Sequence, residues 1–247
     1  MSLDPIVLIP ARMRAQRLPG KPLAEIGGAP MVVRVARQAL HAGVGPVVVA
    51  AGDPEIAEAC RDAGIDAVLT DPALPSGSDR IMAALTMVDP TGRHDSVINL
   101  QGDMPFVEPT ALQACEHLLR GESSCDIATV VAPETAPADR GNPDVVKAII
   151  SLTPGRPGGR ALYFTRSTLY GHGPVWRHVG IYGFRREALV RFTGAPPSPL
   201  ELREGLEQLR ALELGLSIWA SVIDRAPLSV DSAADLDAAR MVAEASA

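Results

Sequence analysis

Over the first half of the chain, short unbroken apolar runs alternate with amphipathic stretches. Ile6-Val-Leu-Ile9 is apolar throughout and stops at Pro10, which predicts a strand buried on both faces. Met31 to His41 has helical spacing with Pro30 at its first turn. Val47-Val-Val-Ala50 predicts the next strand, and Asp53-Pro54 an N-cap and first-turn proline opening a helix to about Ala63. Ala67-Val-Leu69 is a short strand, Asp79 to Val88 a helix and Ser96-Val-Ile-Asn-Leu100 a strand. Pro109 to Leu119 is a further helix, followed by a strand over Ile127 to Val131. This rhythm predicts an α/β, Rossmann-like fold with a mostly parallel central sheet flanked by helices.

The second half is less regular. Val145 to Ile150, Ala161 to Phe164 and Val179 to Phe184 read as strands, a smaller β-containing subregion. Ser198-Pro-Leu-Glu201 fits a capping box. The helix it opens is expected to carry Leu202, Leu206 and Leu209 on one face. A strand near Leu216 to Val222 follows, and Ser232 caps a last helix through about Ala245. Met82 and Met87 are expected in the core, and the loops at 71–78, 133–144 and 153–160 are expected to be the flexible parts. No repeat and no long linker interrupts the chain. It therefore reads as one domain over 1–247, in three stretches: 1–132, 133–230 and a closing helix at 231–247.

Composition narrows the function. Hydrophobic residues make up 47% of the 247 positions, enough for a sizeable core. The net charge of −6 argues against nucleic acid as the main partner, because a phosphate backbone attracts a basic face. The weakly polar run from Ala42 to Gly52 is broken and far too short to span a bilayer, so no membrane insertion is expected. Met1-Ser-Leu-Asp-Pro5 lacks the basic start and apolar stretch of a signal peptide, so a cytoplasmic location is expected. Cys60, Cys115 and Cys125 are odd in number and form no C-x-x-C, which points to buried structural thiols.

Several common signatures are missing: G-x-G-x-x-G, H-E-x-x-H and G-x-S-x-G. Gly20-Lys21 is followed by Pro22, and Ala15 stands where a P-loop has its first glycine. The segment after the first strand carries more. Arg12, Arg14, Arg17 and Lys21 fall within ten residues of an otherwise acidic chain, and Lys21 is one of two lysines, with Lys147. Ligands of open parallel sheets bind beyond the carboxyl ends of the strands. Such a loop suits phosphates, Arg by paired bonds and Lys as a point charge; a solvated charged loop is the plainer alternative. Asp103, in Gln101-Gly-Asp103, ends an apolar strand and suits Mg²⁺, which takes one or two carboxylates plus substrate phosphates. A turn-forming Asp is the alternative there. Asp231 sits at a strand-to-helix junction, where helix capping is also common.

Together these segments resemble the 3-deoxy-manno-octulosonate (Kdo) cytidylyltransferases, the CMP-Kdo synthetases, within the sugar nucleotidyltransferase superfamily. The resemblance runs in order along nearly the whole chain. It takes in Ile9-Pro-Ala-Arg12, Arg17-Leu-Pro-Gly-Lys-Pro-Leu23, Ser76-Gly-Ser-Asp-Arg80, Gln101-Gly-Asp103 and Asn142-Pro143 to Val146-Lys147. It continues through Ala161-Leu-Tyr-Phe-Thr-Arg166, His178-Val-Gly-Ile-Tyr-Gly-Phe-Arg185, Pro197-Ser-Pro-Leu-Glu201, Glu207-Gln-Leu-Arg210 and Val230-Asp231. It implies a nucleotidyltransferase fold and transfer of CMP from CTP to the anomeric hydroxyl of Kdo for lipopolysaccharide synthesis, with pyrophosphate as co-product. It further implies nucleotide binding by Pro10, Ala11, Arg12, Arg17, Lys21, Ser76, Arg80 and Gln101. Catalysis falls to Lys21, Asp103 and Asp231, the two aspartates as Mg²⁺ ligands. Gln101, Arg166, His178, Tyr182, Glu207 and Gln208 are implied to face the sugar acid, and the enzyme to be a homodimer, with 1–132 mainly nucleotide-binding and 133–230 mainly acceptor-binding and dimerisation.

Plainer readings stand beside these roles. Tyr182 could be core, His178 an interface residue, and Glu207 and Gln208 point about 100° apart on a helix, so both cannot contact a ligand equally. Met104 replaces an acidic residue frequent in the family, and the stretch Tyr170-Gly-His-Gly-Pro174 is short. Alternative acceptors are 8-amino-Kdo or a sialic-type acid; a catalytically lapsed nucleotide-binding homologue is the alternative of another class.

Overall fold

The computed structural model describes residues 3–14, 17–134, 136–152, 155–156 and 158–245. In chain order the elements are β1 (Pro5–Ala11), β2 (Glu25–Ile26), β3 (Ala29–Pro30), α1 (Met31–Ala42), β4 (Val47–Ala51), α2 (Pro54–Asp62), β5 (Ala67–Leu69), α3 (Gly77–Val88) and β6 (Ser96–Leu100). Then come α4 (Pro109–Gly121), β7 (Ile127–Pro133), β8 (Lys147–Leu152), β9 (Gly158–Thr165), β10 (Trp176–Arg185), α5 (Arg186–Thr193), α6 (Pro199–Glu204), α7 (Gln208–Glu213), β11 (Ile218–Val222) and α8 (Ala233–Ala245). The chain divides into two compact units, one of residues 4–112 and 227–247, the other chiefly of 113–226. These borders differ from the 132/133 and 230/231 divisions read from the sequence.

In the first unit the main strands run in the order β5-β4-β1-β6, each pairing parallel, beside the small antiparallel β2–β3 pair. Every residue of β4 and β6 is buried, as expected for strands covered on both faces. The C-terminal segment belongs to this unit for a packing reason. Leu236, Ala239 and Ala243 of α8 join Val230, Ile26 and Met31 in one apolar cluster, flanked by Leu18, Phe106 and Leu228.

In the second unit the order is β10-β7-β11-β9-β8, and β8 returns to pair with the start of β10, so the pairings close a ring. Only β7 and β11 run parallel; β10–β7, β11–β9, β8–β9 and β10–β8 are antiparallel. The β10–β7 register jumps between Val179 and Tyr182, leaving Gly180 and Ile181 as a bulge.

Several expectations need correction. The helix from Ser198 does not run through Leu209. Gly205 takes a left-handed φ of 64° and ends α6, and α7 starts at Gln208. Leu206 and Leu209 are buried, but Leu202 is 72% exposed. The Ser198 capping box itself is present, with the Glu201 carboxylate accepting from the Ser198 N–H. Asp53 does not cap α2 with its side chain; its Oδ2 accepts from Met13 N–H at 2.7 Å. Met87 is 57% exposed because α3 buries Ile81, Ala84 and Leu85 instead. The strand expected at 145–150 starts at Lys147, because Val145 N–H closes a turn on Asn142. A 3₁₀ turn occupies Pro137–Arg140 within the expected loop 133–144. Of the loop at 153–160, residues 153, 154 and 157 lie outside the described residues and 158–160 begin β9. The β2–β3 hairpin and α5 carry no clear signal: the strands are two residues each, and α5 follows β10 without a break.

Candidate functional site

In the first unit, a cleft of about 240 Å³ opens beyond the carboxyl ends of β1 and β6. Pro10, Ala11, Arg12, Lys21, Ser76, Arg80, Gln101 and Asp103 all line it. Arg14, Pro22, Gly77 and Gly102 line it as well, and were not singled out as site residues. The sequence signal for Arg14 was present, as the fourth cation of the basic loop.

Lys21 sits at the centre of the charged part. Its Nζ lies 3.3 Å from Asp103 Oδ2 and 3.2 Å from Asp231 Oδ1, and its side chain is only 16% exposed. Two features bring these residues together across the sequence. Val230 N–H donates to Asp103 C=O at 2.9 Å, which sets Asp231 beside Asp103. The Asp231 and Ser232 N–H groups both donate to Asp235 Oδ2, and Ser232 Oγ accepts from Asp235 N–H, so the start of α8 is capped by its own residues. The Asp231 side chain is thereby left to meet Lys21, and Arg17 Nη2 also reaches its Oδ1 at 3.2 Å; Asp231 and Arg17 join the cleft through Lys21 and do not line it themselves. Burial raises the Asp103 carboxyl above its usual range, with Asp231 adding to the rise and Lys21 pulling against it. Two carboxylates converging on one cationic atom form an oxygen donor set that fits Mg²⁺, which fills its remaining positions with water and phosphate oxygens.

Arg80 is 2% exposed. Its Nη1 donates to Thr70 Oγ1 at 2.6 Å and to Asp71 C=O at 3.1 Å, while its buried Nη2 has no partner among the described residues. Thr70 Oγ1 in turn donates to Ala51 C=O at 2.9 Å. Burial and the Arg12 charge hold the Arg80 pKa below its ordinary value. Gly52 leaves room for this side chain: a Cβ there would lie 2.7 Å from Arg80 Nη1 and 3.2 Å from Arg12 Cβ. Ser76 is the N-cap of α3, accepting from Asp79 N–H and donating to Asp79 Oδ2. It delivers a helix N-terminus to the cleft, an anion-favouring end. Gln101 Nε2 donates to Asn99 Oδ1 at 3.2 Å.

The other expected residues lie in the second unit. His178 and Tyr182 flank the β10 bulge with ring centroids 5.3 Å apart, and Phe164 of β9 packs edge-on against His178 at 5.0 Å. His178 Nε2 is 3.0 Å from Thr129 Oγ1. Burial pushes the His178 pKa down to about 3 and the Tyr182 phenol up; the Glu207 carboxylate adds to the rise at Tyr182. Glu207 is therefore electrostatic neighbour to Tyr182, and it also lies 3.6 Å from Arg210, which is held mainly by Glu201. Gln208, the first residue of α7, is buried.

Arg166 lies just past β9 in a cluster of its own. Its Nη1 donates to Pro143 C=O at 2.9 Å. Its own carbonyl accepts from Lys147 Nζ at 2.8 Å, and the same ammonium donates to Asn142 C=O at 2.8 Å. Lys147 is fully buried, and burial and the Arg166 charge lower its pKa. No motif marked Thr70, Gly52 or Thr129, because each acts through a neighbour. Lys147 stood out as the second lysine and as the end of the Asn142-to-Lys147 segment of the resemblance, without a role of its own. The three cysteines are buried and free; burial pushes Cys60 up to about 11 and Cys125 to about 12, and raises Cys115 further.

Comparison with known proteins gives the same outline. The family described as "Cytidylyltransferase" matches residues 6–218. A 3-deoxy-manno-octulosonate cytidylyltransferase of Parvibaculum lavamentivorans is 56% identical over 238 residues, covering 96% of this chain and 91% of the relative. One from Rhodospirillum centenum is 52% identical, covering 96% and 92%. A CMP:2-keto-3-deoxy-manno-octonic acid synthetase solved in complex with CTP superposes with a TM-score of 0.90 at 34% identity, covering 99% of this chain and all of that one.

Proposed function

We propose a reaction from one premise: this chain belongs to the 3-deoxy-manno-octulosonate cytidylyltransferase family. It transfers CMP from CTP to the anomeric hydroxyl of Kdo. A bond forms between the anomeric oxygen and the α-phosphorus as the hydroxyl proton passes to solvent, the bond from that phosphorus to the oxygen bridging to the β-phosphate breaks, and pyrophosphate leaves with that electron pair. Charge builds on phosphoryl oxygens during the transfer, so positioning and cations supply most of the catalysis.

Arg12, Arg17 and Lys21 bind the triphosphate, with Lys21 exchanging carboxylate partners for phosphate oxygens. Arg80, Ser76 and Gln101 complete the nucleotide site. Asp103 and Asp231 hold Mg²⁺, and that ion, when bound, neutralises phosphate charge and lowers the pKa of the attacking hydroxyl. Arg166 grips the acceptor's carboxylate, while His178, Tyr182, Glu207 and Gln208 bind its hydroxyls. A homodimer working in the cytoplasm and feeding lipopolysaccharide synthesis completes the reading, on family grounds. No helix among the described residues is long and apolar enough to cross a membrane.

The observation that carries this reading is Lys21 Nζ within 3.2–3.3 Å of both Asp103 and Asp231. The test is a ranking of kcat/KM over Kdo, 8-amino-Kdo and a sialic acid, each with CTP and with UTP. CTP with Kdo ranks first. Another acid ranking first reassigns the acceptor pocket, and UTP matching CTP removes the base preference.

A further inference from the structure

Thr129 lies on β7 opposite the β10 bulge and is fully buried. The two extra residues of that bulge turn two carbonyls and one ring toward its hydroxyl. Oγ1 lies 2.8 Å from Ile181 C=O, 3.4 Å from Val179 C=O and 3.0 Å from His178 Nε2. A hydroxyl has one proton to give and lone pairs to accept with, and a carbonyl can only accept. The proton therefore goes to Ile181, the closer carbonyl. Toward His178 the same oxygen presents a lone pair, so Nε2 must carry the hydrogen.

We infer that Thr129 is a positioning residue that fixes His178 as the neutral Nε2–H tautomer and so presents Nδ1 as a hydrogen-bond acceptor for a hydroxyl of the sugar acid. This rests on the reading of His178 as an acceptor-site residue. The ring cannot easily turn out of this state, because Phe164 and Tyr182 pack against it at 5.0 and 5.3 Å. The assignment separates two polar functions of the substrate. A lone pair on Nδ1 attracts an O–H and repels a carboxylate oxygen. His178 thus selects for a hydroxylated acceptor, while the carboxylate is left to a cation such as Arg166. Burial also disfavours the doubly protonated ring, which would have been able to bind the carboxylate.

The first test is long-range ¹H–¹⁵N NMR of the full-length protein labelled with ¹⁵N-histidine. The expected pattern for His178 is a protonated Nε2 and a bare Nδ1. A protonated Nδ1, or a doubly protonated ring near neutral pH, overturns the inference whether or not any variant folds. The second test is kinetic. Thr129→Val keeps the shape and removes the hydroxyl; loss of one oriented hydrogen bond raises KM for Kdo by about tenfold. KM for CTP stays unchanged, and Thr129→Ser restores the wild-type value. His178→Ala separates the two ideas. If it raises KM for Kdo and Thr129→Val does not, the role of Thr129 is overturned. If His178→Ala leaves KM for Kdo unchanged, the acceptor-site reading of His178 fails, and the role of Thr129 in the reaction fails with it.

Discussion

Lys21 Nζ lies 3.3 Å from Oδ2 of Asp103, and Asp231 Oδ1 meets the same ammonium at 3.2 Å. One compact charge thus meets two carboxylates, one from the middle of the sequence and one from near its end. Removing either carboxylate removes half of the anionic pair proposed to hold the metal. Asp103→Asn and Asp231→Asn are each expected to lower kcat by at least roughly a hundredfold. Steady-state rates at saturating Mg²⁺ check this, and wild-type turnover in either variant removes that residue from the metal site.

Arg166 is held by its own backbone and by its guanidinium, through Lys147 and Pro143 respectively. Arg166→Ala is expected to raise KM for Kdo much more than KM for CTP. Lys147→Met should move the same parameter in the same direction, because it frees the two carbonyls that tie the Asn142 turn to Arg166. Equal changes in both KM values would take Arg166 out of acceptor binding.

Gly52 faces the guanidinium of Arg80. A Cβ at 2.7 Å from Nη1 forces Arg80 off Thr70 or displaces Arg12. Gly52→Ala is expected to weaken CTP binding by about tenfold, the cost of roughly one charged hydrogen bond. Calorimetric titration with CTP measures it. Unchanged affinity would show that the position of Arg80 does not control nucleotide binding.

His178 makes stability depend on pH with a definite sign. Its ordinary pKa of 6.5 falls to about 3 in the folded protein. Between those values the unfolded chain binds the extra proton and the folded one does not, so stability rises with pH through that window. The contribution is complete above 6.5 and is lost progressively as pH falls toward 3. Thr129, Phe164 and Tyr182 face the ring, and none of them titrates in this range. Denaturation midpoints followed from about pH 7 to pH 5 should therefore fall more steeply for wild type than for His178→Gln. Parallel slopes would contradict the assignment.

Much of this was legible in the sequence where one residue type does one local job. The apolar runs at β1, β4 and β6 placed the parallel sheet, and the basic loop and Asp103 at the carboxyl ends of β1 and β6 marked the cleft. Local signals failed where geometry intervened. Gly205 split a helix whose leucine spacing read as continuous, and the Asp53 carboxylate went to Met13 instead of its own helix. Thr70, Thr129 and Gly52 stayed invisible because their partners lie 10, 49 and 28 positions away, and a buried threonine reads like any other strand residue. The bulge at Gly180-Ile181 shows no turn signature either, yet it brings His178 to Thr129.

The most direct test of the central claim is pyrophosphate release by the purified protein with Mg²⁺, CTP and Kdo, repeated with EDTA. The expected result is release that needs both substrates and stops when the metal is chelated. No release from an enzyme that still binds CTP would contradict the account and leave a nucleotide-binding protein without this chemistry. Undiminished release in EDTA would contradict the metal role of Asp103 and Asp231.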